Sequence, residues 1–121
     1  MYKEMSHLDY LFILHIKELR EKRGWVQQEL SKEMGVASSF VGNVESCVQR
    51  HKYSIRHLPL LAYAFNVSVS ELFEFPLPKF DKVRLTIEIT KIISGDTTNT
   101  TAKVVDVKGL STVVKSNPDK N

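Results

Sequence analysis

The sequence contains little of what secretion, disulfide bonding or membrane insertion requires. Its single cysteine, Cys47, excludes an internal disulfide, and no apolar run approaches the ~20 residues of a transmembrane helix. The first 17 residues have acidic side chains and a histidine before their apolar run and no small-residue cleavage site after it, so they do not resemble a signal peptide. We therefore expect a protein of the reducing cytoplasm with no membrane partner.

The chain also has only a small excess of positive over negative charge. Residues 1–78 contain nine basic and nine acidic side chains, and the net charge of +3 comes entirely from residues 79–121. The total charge therefore gives no argument for a nucleic-acid partner. Any such argument has to come from local clusters of basic side chains.

Motifs of enzymes and metal sites are absent as well. There is no phosphate-binding loop, no GxGxxG dinucleotide fingerprint and no nucleophile elbow. Cys47 and His51 have the spacing of a helical ligand pair, but no second Cys/His pair accompanies them. We therefore predict no catalysis, no cofactor and no metal site.

The chain divides at the segment PLPK, residues 76–79, into a helical part and a strand-rich part. At the start of the helical part, apolar residues recur at steps of three and four, and Ser6 and Asp9 have the spacing of a capping box. Gly24 follows two basic residues, which is typical of a helix end. This pattern predicts a first helix over about residues 7–23.

Residues 26–46 predict two short helices that meet at a glycine. Apolar residues mark an inner face on each helix, and Gly35 between them can adopt a positive φ without a Cβ penalty. Two short helices joined by so sharp a turn are the pattern of a helix-turn-helix.

This region resembles the Xre family of bacterial and phage repressors, relatives of the phage lambda Cro and repressor DNA-binding domains. The resemblance covers about residues 12–75 and lies in the segments IKELREKRGWVQQELSKEMGVASSFVGNVES and LLAYAFNVSVSELF. The positions that match in order and spacing are Arg20, Gln27, Leu30, Ser31, Gly35, Val36, Val41, Val44 and Glu45. The resemblance implies a mainly α fold, a five-helix lambda-repressor-like bundle with a C-terminal β-hairpin. Its third helix, at about residues 36–46, would enter the DNA major groove.

The resemblance also implies roles for residues of the scaffold. Arg20 and Glu45 match a structural salt bridge that holds the recognition helix on the first helix. Gln27 matches a glutamine that contacts a DNA phosphate; the alternative is an exposed, solvated side chain.

At the positions where the family contacts bases, this chain has Ser38, Ser39 and Asn43. An asparagine can form a bidentate contact with adenine, whereas a serine hydroxyl both donates and accepts and is a permissive reader. Because this surface has no arginine, we expect weak discrimination by direct contacts and a larger contribution from DNA shape.

Three positions depart from the family pattern. Val26 replaces a Ser or Thr that would cap the second helix, which costs about 1 kcal/mol of capping. Cys47 stands where a glycine is common, so we expect the recognition helix to continue by a turn. Pro59 falls inside the family's fourth helix, which should therefore start later or be kinked.

The connection after the recognition helix, residues 46–70, contains no acidic residue. Its bases Arg50, Lys52 and Arg56 are expected to contact DNA phosphates, and Tyr53 could add a hydroxyl donor. The alternative is a solvated basic loop, the usual meaning of such a run.

Beyond the PLPK segment the apolar period changes from that of a helix to that of a strand. Val83, Leu85, Ile87 and Ile89 alternate with polar residues, a turn that includes TTNTT follows, and residues 102–108 predict the returning strand. A lone hairpin is marginal in water, so its apolar face has to be covered. We expect it to pair with a second hairpin in a dimer; the alternatives are packing on the chain's own helices and binding of a separate partner or ligand.

These patterns predict three segments. They are a DNA-binding domain at residues 1–78, a dimerisation hairpin at residues 79–114 and a disordered tail at residues 115–121. The predicted function is that of a homodimeric bacterial or phage repressor, which occludes promoters by binding double-stranded DNA at a two-fold symmetric operator in the nucleoid. The alternatives are an antitoxin-like regulator whose tail binds another protein, and a protein-interaction module that has lost DNA binding.

Overall fold

A computed structural model describes residues 1–48 and 50–112. The elements follow in the order β1 (Tyr2–Ser6), α1 (His7–Lys22), α2 (Gln27–Met34), α3 (Phe40–Glu45), α4 (His57–Phe65), a 3-10 turn (Ser70–Phe73), β2 (Phe80–Ser94) and β3 (Thr97–Thr112). The tail predicted to be disordered, residues 115–121, lies outside the described residues. No helix within the described ranges is long and apolar enough to cross a bilayer.

The expected five-helix bundle is wrong. The described residues form four α-helices and a three-stranded antiparallel sheet. A single 3-10 turn, Ser70–Phe73, takes the place of the fifth helix, with Leu72 donating its N–H to the Val69 carbonyl three residues earlier. Pro76 disfavours helical backbone in the residue before it, so the segment has no room to lengthen into an α-helix.

The sheet has the strand order β1-β2-β3. β1 pairs antiparallel with residues 82–86 of β2, so residues on both sides of the predicted boundary at residue 78 share one sheet. The hairpin strands are longer than expected, because TTNTT lies in β3 and only Gly95 and Asp96 form the turn. Gly95 has a φ of +60°, which a two-residue hairpin turn commonly requires.

α1 begins and ends where its sequence predicts. The Ser6 hydroxyl oxygen accepts a hydrogen bond from the Asp9 N–H at 3.2 Å and so caps the helix. Gly24, with a φ of +69°, follows its last turn. The inner face of the helix, including Phe12 and Ile16, is buried in the core.

α2 and α3 meet at Gly35, which has a φ of +74°. Ser31 is fully buried where the helices approach, and its hydroxyl oxygen accepts a hydrogen bond from the Val41 N–H at 3.1 Å. Val26 provides no side-chain cap for α2, as expected. The Glu29 carboxylate accepts a hydrogen bond from the Val26 N–H at 3.0 Å, so half of a capping box remains.

The connection after α3 departs from expectation at Cys47. α3 ends at Glu45, and Cys47 itself has a φ of +58°, the left-handed conformation that a glycine would adopt. The expected extra turn of the recognition helix is therefore wrong. α4 begins at His57, which places Pro59 in the first turn, where a missing N–H breaks no intrahelical hydrogen bond. The helix thus begins two residues before the proline.

The apolar face of β2 packs against α1. Val83, Leu85 and Ile87 are 1%, 0% and 2% exposed and belong to the same core as the helices. This burial corrects the expectation that these side chains lie between subunits, because the chain's own helices already cover them. The next residue of the alternation, Ile89, is 43% exposed.

A buried histidine organises the start of α4. The His57 Nδ1 atom accepts a hydrogen bond from the Ser54 N–H at 2.9 Å, and the His57 N–H donates to the Ser54 carbonyl at 2.9 Å. The imidazole ring lies 4.6 Å from the Phe40 ring. Burial, together with the neighbouring Arg56 charge, lowers the pKa of His57.

We predict that this histidine makes the fold sensitive to acid. In the unfolded chain a histidine has a pKa of about 6.5, so as pH falls through that value the unfolded state binds a proton that the native state resists. Stability should therefore decline from pH ~6.5 down to the lowered native pKa. Urea unfolding of His57→Asn, whose amide oxygen replaces Nδ1 as acceptor, should show a flatter decline than the wild type. The exposed His51→Asn is the control, and an equal flattening there would contradict the assignment.

Candidate nucleic-acid interface

The three residues expected to read bases lie together at the start of α3. Ser38 and Ser39 occupy the turn before the helix and are exposed, and Asn43 follows one helical turn later, partly exposed. The Asn43 N–H donates to the Ser39 carbonyl at 2.9 Å, which places the two side chains on one side of the helix. The arrangement presents two hydroxyls and one amide on a single small surface.

The far end of α3 is fixed by an ion pair to α1. Arg20 donates to both carboxylate oxygens of Glu45, from Nε at 2.8 Å and from Nη2 at 2.9 Å. The two side chains are 10% and 3% exposed, so the pair is largely shielded from water. Its hydrogen bonds to Glu45 raise the pKa of Arg20. Nη1 also donates to the Trp25 carbonyl at 2.6 Å, so the same guanidinium holds the loop before α2.

Gln27, the first residue of α2, lies over α3. Its Nε2 donates to Glu45 at 3.0 Å, and its Oε1 lies 3.0 Å from the position that a Cβ on Gly42 would occupy. The absence of a side chain at Gly42 gives the glutamine amide room to cross the helix. The amide is therefore positioned next to the α3 surface, with its side chain exposed.

The basic residues of the connection after α3 do not all lie together. Arg50 and Lys52 line a cleft of about 300 Å³ beside β1, and Lys3 from that strand lines the same cleft. Lys52 also lies 3.6 Å from Asp9. Arg56 is exposed elsewhere, at the start of α4. Nothing local in the sequence places Lys3, since its position follows from pairing with a strand some 80 residues away.

Tyr53 is placed differently from expectation. It is 6% exposed, with its ring 5.8 Å from Phe12 and 5.8 Å from Phe40, and its hydroxyl is buried without a hydrogen-bond partner. Burial raises the pKa of this tyrosine. The expected phosphate contact by Tyr53 is therefore wrong, because the side chain points into the core. Its neighbours in the sequence are polar and give no signal of this burial.

The hairpin lies beside α3, which the sequence did not indicate. A cleft of about 290 Å³ separates the C-terminal part of α3 from the hairpin. Its lining residues are Asn43, Ser46, Val48, Ile89, Thr100 and Ala102. Both strands of the hairpin therefore border one of the predicted base-reading side chains.

No group of three or more potential metal ligands occurs in the described ranges. Cys47 is buried and forms no disulfide, and burial raises the pKa of its thiol.

We predict that the buried ion pair of α1 and α3 is a major contributor to stability. Glu45→Ala leaves the Arg20 guanidinium shielded and unpaired, so it should lower the free energy of unfolding by about 3–5 kcal/mol in urea denaturation. Glu18→Ala is the matched control, because it removes a carboxylate whose pair with Lys22 is 62% and 70% exposed. That change should cost at most about 0.5 kcal/mol. A similar small loss in both variants would contradict the structural role of Glu45.

No protein-family model matches the chain. A curated relative, the competence pilus inhibition repressor of Acinetobacter baylyi, is 38% identical over 58 residues, which are 48% of this chain. The match spans about half of the relative's length, 51%.

Two solved structures are also similar. A mutant of the restriction-modification controller protein C.Esp1396I has a TM-score of 0.51 and 24% identity, over 60% of this chain and 87% of its own. The biofilm master regulator SinR, in complex with DNA, is 30% identical with a TM-score of 0.44, over 52% of this chain and 98% of its own. The chain therefore shares the fold of the C.Esp1396I controller protein, and the helix-turn-helix of α2 and α3 together with the Arg20–Glu45 pair agrees with the resemblance to Xre-type regulators.

Proposed function

We propose that this chain is a DNA-binding transcription regulator that acts as a homodimeric repressor on a two-fold symmetric site. The observation that carries the proposal is the surface of α3, where three small polar side chains are presented beside a basic connection. His51 of that connection lies 6.3 Å from Phe40, the first residue of α3, between ring centroids. A repressor is also what the curated relative is named.

In this proposal the α3 surface reads bases. Asn43 contacts an adenine edge, and Ser38 and Ser39 contribute adaptable hydrogen bonds. The Arg20–Glu45 pair holds the helix at a fixed depth, since it ties the helix end to α1. Such a surface has no strong guanine reader, so the shape and spacing of the site supply part of the selectivity.

Phosphates are bound by residues around that surface. Gln27 lies at the start of α2, Arg50 and Lys52 line the cleft beside β1, and Arg56 extends the basic connection towards α4. Lys52 would exchange its long contact with Asp9 for a phosphate. In a dimer on two-fold symmetric DNA the half-sites would lie one helical turn apart, roughly 34 Å, and occupation of a promoter in the nucleoid would block transcription.

Selection of bound DNA from a random pool tests the proposal directly. We expect an inverted repeat whose half-sites are separated by about one helical turn. If no DNA is retained even at low salt, the chain is an interaction module and the proposal is wrong.

Two substitutions should then separate base reading from phosphate binding. Asn43→Ala should weaken the selected site by roughly 5- to 150-fold and random DNA hardly at all, because it removes a base contact. Arg50→Ala should weaken both and reduce the slope of log affinity against log salt by about 1. The control is Lys22→Ala, which removes one positive charge, as Arg50→Ala does. Lys22 lies at the C-terminal end of α1, about 20 Å along the helix from Asp9, which borders the basic cleft. Equal losses on both DNAs for Asn43→Ala would rule out its base-reading role.

A further inference from the structure

β3 is an edge strand with one open side. It pairs with β2 along its inner side, and no strand of the described residues pairs with its outer side. Its 16 residues span roughly 54 Å at the usual rise of an antiparallel strand. An open edge of this length presents unpaired backbone N–H and carbonyl groups to any compatible strand.

The side chains around this edge favour a protein partner over DNA. Five large apolar residues are exposed on the hairpin: Ile89, Ile92, Ile93, Val105 and Val107. The distal part of the hairpin, residues 88–103, has two acidic and two basic residues, so its net charge is zero. A surface without net charge has no electrostatic attraction to DNA phosphates. Its exposed isoleucines would instead be stabilised by burial against a protein.

At the β3 edge of the sheet, two charged side chains have no oppositely charged neighbour on the adjacent strand. Glu4 lies opposite Arg84 with an ion-pair distance of 3.7 Å, and Arg84 lies opposite Lys108. This row of cross-strand neighbours therefore ends in two adjacent basic residues. Their repulsion is unfavourable, and an acidic residue beyond Lys108 would relieve it. The adjacent row ends in Asp106, opposite Thr86. Neither Asp106 nor Lys108 forms an ion pair with another described residue.

These two unmet charges complement each other across a two-fold axis. If two β3 edges pair antiparallel with Val107 on the axis, Asp106 of each copy lies opposite Lys108 of the other, and both rows are completed. With Asp106 or Lys108 itself on the axis, like charges would oppose each other instead. Val107, 41% exposed in one copy, would be covered by its symmetry mate.

We propose that β3 pairs with β3 of a second copy of this chain about a two-fold axis at Val107, which joins the two sheets into one of six strands. This inference names the surface of the dimer in the proposed function and rests on that function only for its biological use. It moves the subunit contact from the buried face of β2 to the outer edge of β3. The hairpin borders Asn43 and Ser46, so the joined sheets would also set the distance and angle between the two recognition helices.

Charge reversal and its compensation test the register. In sedimentation equilibrium of the full chain, Asp106→Lys and Lys108→Asp should each weaken dimerisation about tenfold, because each places like charges opposite one another twice per dimer. The double variant restores opposite charges and should return the dimer dissociation constant to within about twofold of the wild type. Controls with the same charge changes near the hairpin tip, Asp96→Lys and Lys91→Asp, should leave it unchanged. Urea unfolding of every variant identifies any that fails to fold.

A wild type that stays monomeric at all concentrations overturns the proposal. So does a dimer that neither single reversal weakens, or a double variant as weak as the single ones. The DNA experiment fails independently: wild type that dimerises but retains no DNA contradicts the proposed function and leaves this interface standing. If both hold, Asp106→Lys should lose affinity for the full inverted repeat and keep its weaker affinity for an isolated half-site.

Discussion

The Arg20–Glu45 ion pair is the contact on which the arrangement of the helices depends. One guanidinium joins the end of α3, through Glu45, and the loop before α2, through the Trp25 carbonyl, to the body of α1. The same carboxylate receives the amide of Gln27, so α2 is held at this point too. α3 has only six residues: Val41 and Val44 pack its inner face into the core, and this pair fixes its C-terminal end.

A cluster of aromatic rings fixes the position of the connection after α3, as the ion pair fixes the position of α3. Tyr53 lies among Phe12, Phe40 and His57, with ring distances of 4.6–6.3 Å across the cluster. Because the tyrosine is anchored inside, the bases on either side of it in the sequence remain outside. A connection without regular structure is thereby held close to α3.

Local signals predicted the elements that depend on neighbours in the sequence. The Ser6 cap, the Gly35 turn and the apolar period of α1 needed only a few residues each. Three features were missed because they depend on contacts between distant parts of the chain: β1 as a strand, the burial of Tyr53 and the cover over Val83. A period of two shows that a strand has a buried face, but it carries no information about what covers that face.

The site was predictable to the same degree. Ser38, Ser39 and Asn43 follow from the helix-turn-helix pattern, whereas Lys3 joins the basic cleft only through β1. Cys47 shows how a family glycine can be replaced when the backbone around it is already fixed, since the chain keeps the left-handed turn with a side chain in place.

The pairing of β1 with β2 also constrains the order in which the chain can assemble during synthesis. Met5 lies opposite Val83, so the strand made first waits for one made about 80 residues later. At translation rates of about 5–20 residues per second, the helices would have several seconds to fold while the side of α1 that β2 covers is still exposed to water. The helices can therefore assemble first, and the sheet can close over them only in a later step that depends on long-range contacts.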